Sequence, residues 1–278
     1  MTLAVDAAVA AAREAGLDVH EPVLVHARAN VLVDLAPTGL VARVSELGAR
    51  AAVEREVDLV GRLASGGAPV APPASSVRPG PYLQGAFAVT LWDRVEHDPD
   101  SPLDARAAGA GLREIHEQLA GAPAAGLDHF LRAERTEGLL GSAALGDEDR
   151  RTLRAGLERA QAFAAALAAP LQPVHGDAHL ANVLRTPAGP LWSDFELACA
   201  GPRELDLACN EIRARHRGRT ADDDAFLEGY GDHDRELVAA LVPVHAVFLA
   251  ALTFAAAERH PDVLPLARER LDWVRESL

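Results

Sequence analysis

Lysine is absent from the 278 residues, so every basic side chain other than histidine is Arg. That absence excludes a phosphate loop of the Walker A kind, which needs a Lys to reach the phosphates. No G-x-G-x-x-G opening a helix is present, and a dinucleotide-binding βαβ unit has no support. Cysteine is scarce: Cys199 and Cys209 make neither a disulfide framework nor a zinc site, and are expected as small buried thiols in a reducing compartment. The N-terminus carries Asp6 and no early basic cluster, which is not the pattern of a secretory signal. One long run without charge, residues 237 to 257, reaches membrane-spanning length. It is rich in Ala and holds Pro243, His245 and Thr253, so it is expected as a buried helix of a cytoplasmic protein with no membrane partner.

What is present is the composition of a globular chain, 49% hydrophobic and 24% charged, long enough for two compact lobes. The formal net charge is −14, and residues 1 to 95 contribute only −2 of it, leaving −12 on the rest. Nucleic acid is therefore excluded as a partner. A small-molecule ligand carrying positive charge and bound by the C-terminal part fits this imbalance. An acidic surface that merely keeps the chain soluble fits it as well.

Periodicity divides the chain in two. An Ala-rich helical stretch, residues 5 to 15, precedes three β-branched runs, 23–25, 31–35 and 40–44, separated by turn residues such as Pro37-Thr38-Gly39. Val53, Val57, Val60 and Leu63 then mark one face of a helix. Residues 65 to 81 are dense in Gly, Pro and Ser, and 86 to 92 read as a buried strand. Beyond His97-Asp98-Pro99 most segments are helical. The spacing predicts an α+β chain with a small lobe over residues 1–95 and a larger, mainly helical lobe over 96–278.

The chemistry concentrates in two segments. The first is His175-Gly176-Asp177-Ala178-His179-Leu180-Ala181-Asn182-Val183-Leu184. The second begins Ser193-Asp194-Phe195-Glu196 and runs through Gly201-Pro202 to Asp206-Leu207-Ala208. A carboxylate such as Asp177 can take the proton of a hydroxyl nucleophile. Asn182 and Asp194 offer the hard oxygen ligands that Mg²⁺ prefers, and Mg²⁺ carries phosphates. An Asp, an Asn five residues on and a downstream Asp-Phe are the order of a kinase catalytic loop and its metal-binding Asp.

These residues resemble the aminoglycoside phosphotransferase and choline kinase-like family, whose pattern H-G-D-x-H-x-x-N-x-L followed by D-F/W-E is met at every position. The resemblance implies a two-lobed protein-kinase-like fold and transfer of the γ-phosphoryl group of ATP, or GTP, to a substrate hydroxyl. It implies Asp177 as base and Asn182 and Asp194 as Mg²⁺ ligands. His175 and Asp206 would brace the loop, and His179 would touch the transferred phosphoryl. Where relatives use a strand Lys and a helix Glu to hold the α- and β-phosphates, this chain offers Arg43, with Glu56, or alternatively Glu54, as its partner. No glycine-rich loop joins the first two strands; Ala27-Arg28-Ala29-Asn30 stands there, with Asn30 as a nucleotide contact. Acceptor binding falls on the helices after Asp206, where Asp223, Glu228 and Asp232 belong to an acidic cluster.

Two other readings compete. The departures at Arg43 and in the missing glycine loop allow a nucleotide-binding relative without catalysis. A metallohydrolase using His175, Asp177 and His179 on one strand face leaves Asn182 and Asp194 unexplained. The acceptor itself is not written in these motifs, because a shared catalytic apparatus serves many acceptor pockets.

Overall fold

A computed structural model of the chain describes residues 2–27 and 30–277. It is α+β and packs as two compact units, the first holding residues up to Gln118 with Leu180–Leu197 and Glu228–Tyr230, the second holding the remainder.

The first unit is built on a five-stranded antiparallel sheet. Its strands are β1 (Glu21–Ala27), β2 (Val31–Ala36), β3 (Leu40–Glu46), β4 (Tyr82–Gln84) and β5 (Phe87–Asp93), in the order β1-β2-β3-β5-β4. Helix α1 (Thr2–Glu14) lies on one face. Its buried side is Ala4, Ala7, Ala8, Ala11 and Ala12, small residues at helical spacing that let the helix approach Val33, Leu35, Leu40, Ala42 and Val44 closely. Helix α2 (Arg50–Ser65) buries Val53, Glu56, Val57, Val60 and Leu63. Gly39, at φ +74°, closes the β2–β3 turn.

Helix α3 (Ala105–Leu119) and a hairpin far along the chain, β8 (Val183–Thr186) with β9 (Gly189–Trp192), also belong to the first unit. Trp192 holds them there. It is fully buried, its indole N–H donates to the Ala108 carbonyl at 3.0 Å, and its backbone pairs with Pro69 and Ala71. Gly111 makes the approach possible, since a Cβ there would stand 2.9 Å from the Pro69 ring. A cut of the sequence after residue 95 leaves out residues 96–118, 180–197 and 228–230, which belong to the same unit as the small sheet.

The second unit has a short sheet, β6 (Asp128–His129), β10 (Cys199–Gly201) and β7 (Gln172–Val174), in the order β6-β10-β7. Around it are α4 (Ala133–Leu139), α5 (Asp147–Ala166), α6 (Glu204–Arg217), the start of α7 (Ala221–Tyr230), α8 (Arg235–Ala257) and α9 (Leu264–Ser277). α8 contains the uncharged run and is long and apolar enough to cross a membrane by composition. It is instead the core helix of this unit: two thirds of its apolar window is buried, and α4, α5, α6 and α9 pack on it.

Candidate active site

In the first unit the site is organised by Arg43. Alternation along β3 points Leu40, Ala42 and Val44 toward α1 and leaves Arg43 and Ser45 on the opposite face. Glu56 sits on the inward stripe of α2, among Val53, Val57 and Val60. The two meet with Arg43 Nη1 donating to Glu56 Oε1 at 2.7 Å, and both are buried. Glu54 is turned away on the exposed side of the helix and pairs with Arg50.

The second guanidinium nitrogen, Nη2, lies 2.5 Å from Glu196 Oε2 and 3.1 Å from Asp194 Oδ1. Asn30 completes the cluster by donating from Nδ2 to Glu196 Oε2 at 2.8 Å and accepting from Ser45 Oγ at 2.8 Å. Arg28 and Ala29 of the same short loop lie outside the described residues.

The hairpin supplies the other donors. Val183 pairs with Trp192, so Asn182 and Ser193 stand opposite each other at its open end. Ser193 confirms the register by donating to the Asn182 carbonyl from its N–H at 3.0 Å and from its hydroxyl at 2.9 Å. Asp194 follows with φ +67°, a left-handed backbone that a non-glycine residue adopts only occasionally.

Three carboxylates thus share one guanidinium. Burial works against the Arg43 charge, but Glu56, Asp194 and Glu196 together hold it more firmly protonated than usual. Glu56 feels the converse. Burial pushes its carboxyl up to about 7 despite Arg43, with the Asp194 and Glu196 charges adding to the rise, and its Oε2 has no partner among the described residues. The surplus of negative charge, with the Asp194 side chain 44% exposed beside Asn182, is a donor set that fits a hard divalent cation.

In the second unit the loop after β7 carries Asp177. Asp206, fully buried at the start of α6, accepts from the His175 N–H at 2.8 Å and from the Gly176 N–H at 2.7 Å. Gly176 is at φ +80°, so the turn requires glycine. Buried Arg132 donates to the Gly176 carbonyl at 3.5 Å, so that peptide is held from both sides. The Asp177 N–H donates to His175 Nδ1 at 3.4 Å, which makes His175 part of the brace.

The Asp177 side chain is 28% exposed, and its Oδ2 lies 3.6 Å from His179 Nε2. Burial alone would raise this carboxyl. The His179 imidazole outweighs that, with His175 and His245 adding, and holds it down at about 2. Asp177 is therefore ionised at every ordinary pH. Among the described residues no group of three or more His, Cys, Asp and Glu side chains is arranged to hold a metal ion, His175, Asp177 and His179 included.

The acidic cluster is largely consumed by the fold. Asp223 is fully buried; it forms a capping box with Thr220 at the start of α7, pairs with Arg217 at 2.6 Å and accepts from Asn210 at 3.2 Å. Expected at the acceptor, this carboxylate caps a helix. Glu228 is ion-paired with Arg106, and Asp224 with Arg219. Asp232 is exposed, and its backbone carbonyl accepts from Arg203 at 3.4 Å.

Sequence reasoning assigned no role to Glu196 or Ser45. Ser45 stood two after Arg43 on the same strand face, where period-two alternation was the available signal; Glu196 lies in a 3-10 turn, where that alternation does not apply, and its only signal was its place in the motif.

The fold is that of a two-lobed, protein-kinase-like phosphotransferase, and solved structures share it at low identity. Amicoumacin kinase hAmiN, in complex with AMP-PNP, Ca²⁺ and Ami, superposes with a TM-score of 0.74 at 13% identity, over 94% of this chain and 92% of that one. The GDP and kanamycin complex of APH(2")-IIia gives 0.69 at 16%, over 97% and 98%. Choline kinase LicA from Streptococcus pneumoniae gives 0.67 at 15%, over 97% and 98%. No curated protein matches by sequence. The sequence pattern of the Phosphotransferase enzyme family matches residues 20–242, and the chain belongs to that family.

Proposed function

We propose that the protein is a small-molecule kinase that transfers the γ-phosphoryl group of ATP or GTP to a hydroxyl of its acceptor. The observation that carries this reading is the Arg43 cluster, in which Glu56, Asp194 and Glu196 gather on one guanidinium beside Asn182. A partly buried cluster with surplus negative charge is costly unless it has a cationic ligand to hold. Structures of the same fold with AMP-PNP and Ca²⁺, or with GDP, support a nucleotide and a divalent cation as that ligand.

Asn182 and Asp194 would hold Mg²⁺, which supplies neutralisation of phosphate charge. Arg43, fixed by Glu56, would grip phosphate oxygens as a fork rather than as the point charge of a Lys. Asp177, ionised and partly exposed, accepts a hydrogen bond from the acceptor hydroxyl. As the acceptor oxygen bonds to the γ-phosphorus and the bond to the departing nucleoside diphosphate breaks, the hydroxyl proton passes to Asp177. Asp206, His175 and Arg132 keep the loop backbone in place so that little reorganisation accompanies the transfer. His179, beside Asp177, would touch the transferred group.

The test is nucleotide consumption with Mg²⁺ over a panel of hydroxyl acceptors, run beside Asp177→Asn. Turnover that depends on an acceptor and is lost in the variant is the expected result. Nucleotide binding without turnover for any acceptor would favour a non-catalytic relative, and absence of nucleotide binding would end the reading.

A further inference from the structure

Arg213 and Arg270 of the second unit form no ion pair among the described residues. Arg270 on α9 is only 8% exposed. Its Nη1 donates to Thr253 Oγ1 at 2.5 Å and to the Leu249 carbonyl at 3.4 Å, and among the described residues its Nε has no partner and no carboxylate pairs with it. Arg213 on α6, half-buried, has neither a hydrogen bond nor an ion pair among the described residues. A buried guanidinium with no counter-ion carries a large desolvation cost.

Both helices pack on α8, and the contacts fix which faces meet. His245, Leu249 and Thr253 form one stripe of α8 at four-residue spacing. On α6, Cys209 touches His245, with Sγ and Nε2 3.4 Å apart, and Arg213 is one turn further along the same face. Arg270 bonds the Leu249 and Thr253 end of the stripe. The His245 Nδ1 is likewise buried without a partner among the described residues. The two guanidinium groups feel each other: burial, then Arg213, lower Arg270 to about 10, while Asp177 and Glu269 partly offset this. Burial first, then Arg132, keeps His245 down at about 3 and so neutral.

The nearby carboxylates other than Asp177 are engaged elsewhere. Asp206 holds the His175 and Gly176 N–H groups, Glu269 pairs with His216 at 2.7 Å, and Glu211 pairs with Arg219. From Asp206 to Arg213 is two turns of α6, about 10 Å along its axis.

We propose that Arg213 and Arg270 form an oxyanion subsite on the Asp177 side of the second unit, and that the acceptor carries a carboxylate or phosphate besides its hydroxyl. The substrate half of this inference rests on the kinase reading; the anion site does not. It departs from the cationic acceptor that the charge of the sequence suggests, because the acidic cluster is largely tied up in a helix cap and ion pairs.

The test follows thermal unfolding of the full chain with Mg²⁺ and saturating AMP-PNP, so that the phosphate-binding groups of the nucleotide site are filled. Sulfate, phosphate and acetate are titrated separately at constant ionic strength against chloride. The expected result is a saturable rise in Tm that chloride does not give, with acetate against phosphate telling a carboxylate site from a phosphate site. Arg213→Gln and Arg270→Gln should each weaken the response about tenfold or more, leaving the AMP-PNP shift intact. Arg213 has no partner to lose among the described residues, so its variant folds even where Arg270→Gln does not. A wild-type response no different from chloride, or one unchanged in Arg213→Gln, overturns the site. Loss of the AMP-PNP shift with the sulfate response retained would remove the kinase reading and keep the site. In the acceptor panel, hydroxy acids should be turned over with a KM raised by Arg213→Gln and a nearly unchanged kcat; turnover confined to cations such as choline or kanamycin overturns the acceptor assignment.

Discussion

Two carboxyl groups of this protein are moved in opposite directions, and the direction tells what each can do. Asp177 is held at about 2, so its charge is constant above pH 4 and cannot shape a pH–rate profile there. Asp177→Asn keeps the shape of the side chain and removes its capacity to take a proton. Turnover should fall about 10²- to 10⁴-fold with the AMP-PNP thermal shift unchanged. An equal loss of nucleotide binding would mean that the residue acts on the nucleotide instead. Glu56 is pushed up from 4.5 to about 7. Its folded form binds a proton more tightly than its unfolded form, so its contribution to stability is full below about pH 4.5 and is lost as pH rises through 7. Unfolding followed from pH 5 to 8 should show a decline that is flatter in Glu56→Gln. Identical slopes in the two proteins would mean that Glu56 is ionised throughout, held by Arg43 alone.

At the scale of elements, helix caps and hairpin anchors decide which residues are free for chemistry. Asp223 lay in a run of acidic residues, and sequence alone cannot tell a helix cap from a ligand. Its partners Arg217 and Asn210 come from the preceding helix, which turns back on it. Asp223→Ala should cost about 2–3 kcal/mol, the loss of a cap plus a buried charge-assisted bond, and leave acceptor KM alone. A raised KM in a protein of unchanged stability would return Asp223 to the acceptor site. The β8–β9 hairpin depends in the same way on Gly111. A Cβ there meets the Pro69 ring, which has little freedom to yield, so Gly111→Ala should lower stability by about 1–3 kcal/mol. Because Trp192 is the shared contact, that variant should also weaken the effect of Mg²⁺ on nucleotide binding.

At the scale of the whole molecule, contiguity determined what could be read in advance. The β-branched runs at 31–35 and 40–44 gave β2 and β3 nearly at their observed ends, and the helical face at Val53, Val57, Val60 and Leu63 gave α2. The HGDxH and DFE segments were legible because their residues are neighbours in sequence. The contact of Glu196 with Arg43 spans 153 positions, and no local pattern announces it. Arg213 and Arg270 were equally silent, since each looks like an ordinary helix-surface Arg until the burial of α9 and the engagement of the nearby carboxylates are known. The same division of the chain makes a prediction about ligands. Asn30, Arg43, Glu56, Asn182 and Asp194 are all in the first unit, whereas Asp177, Arg213 and Arg270 are in the second. A ligand stabilises the state it binds, by about 2.7 kcal/mol at a hundredfold excess over Kd, and the gain appears first in the backbone hydrogen bonds around its contacts. Hydrogen exchange with Mg²⁺ and AMP-PNP should slow chiefly in β2, β3, α2 and the β8–β9 hairpin. Adding sulfate should then slow the facing stretches of α6, α8 and α9. Nucleotide protection confined to those three helices would show that the Arg43 cluster is a structural ion-pair network, and the assignment of Asn182 and Asp194 would fall with it.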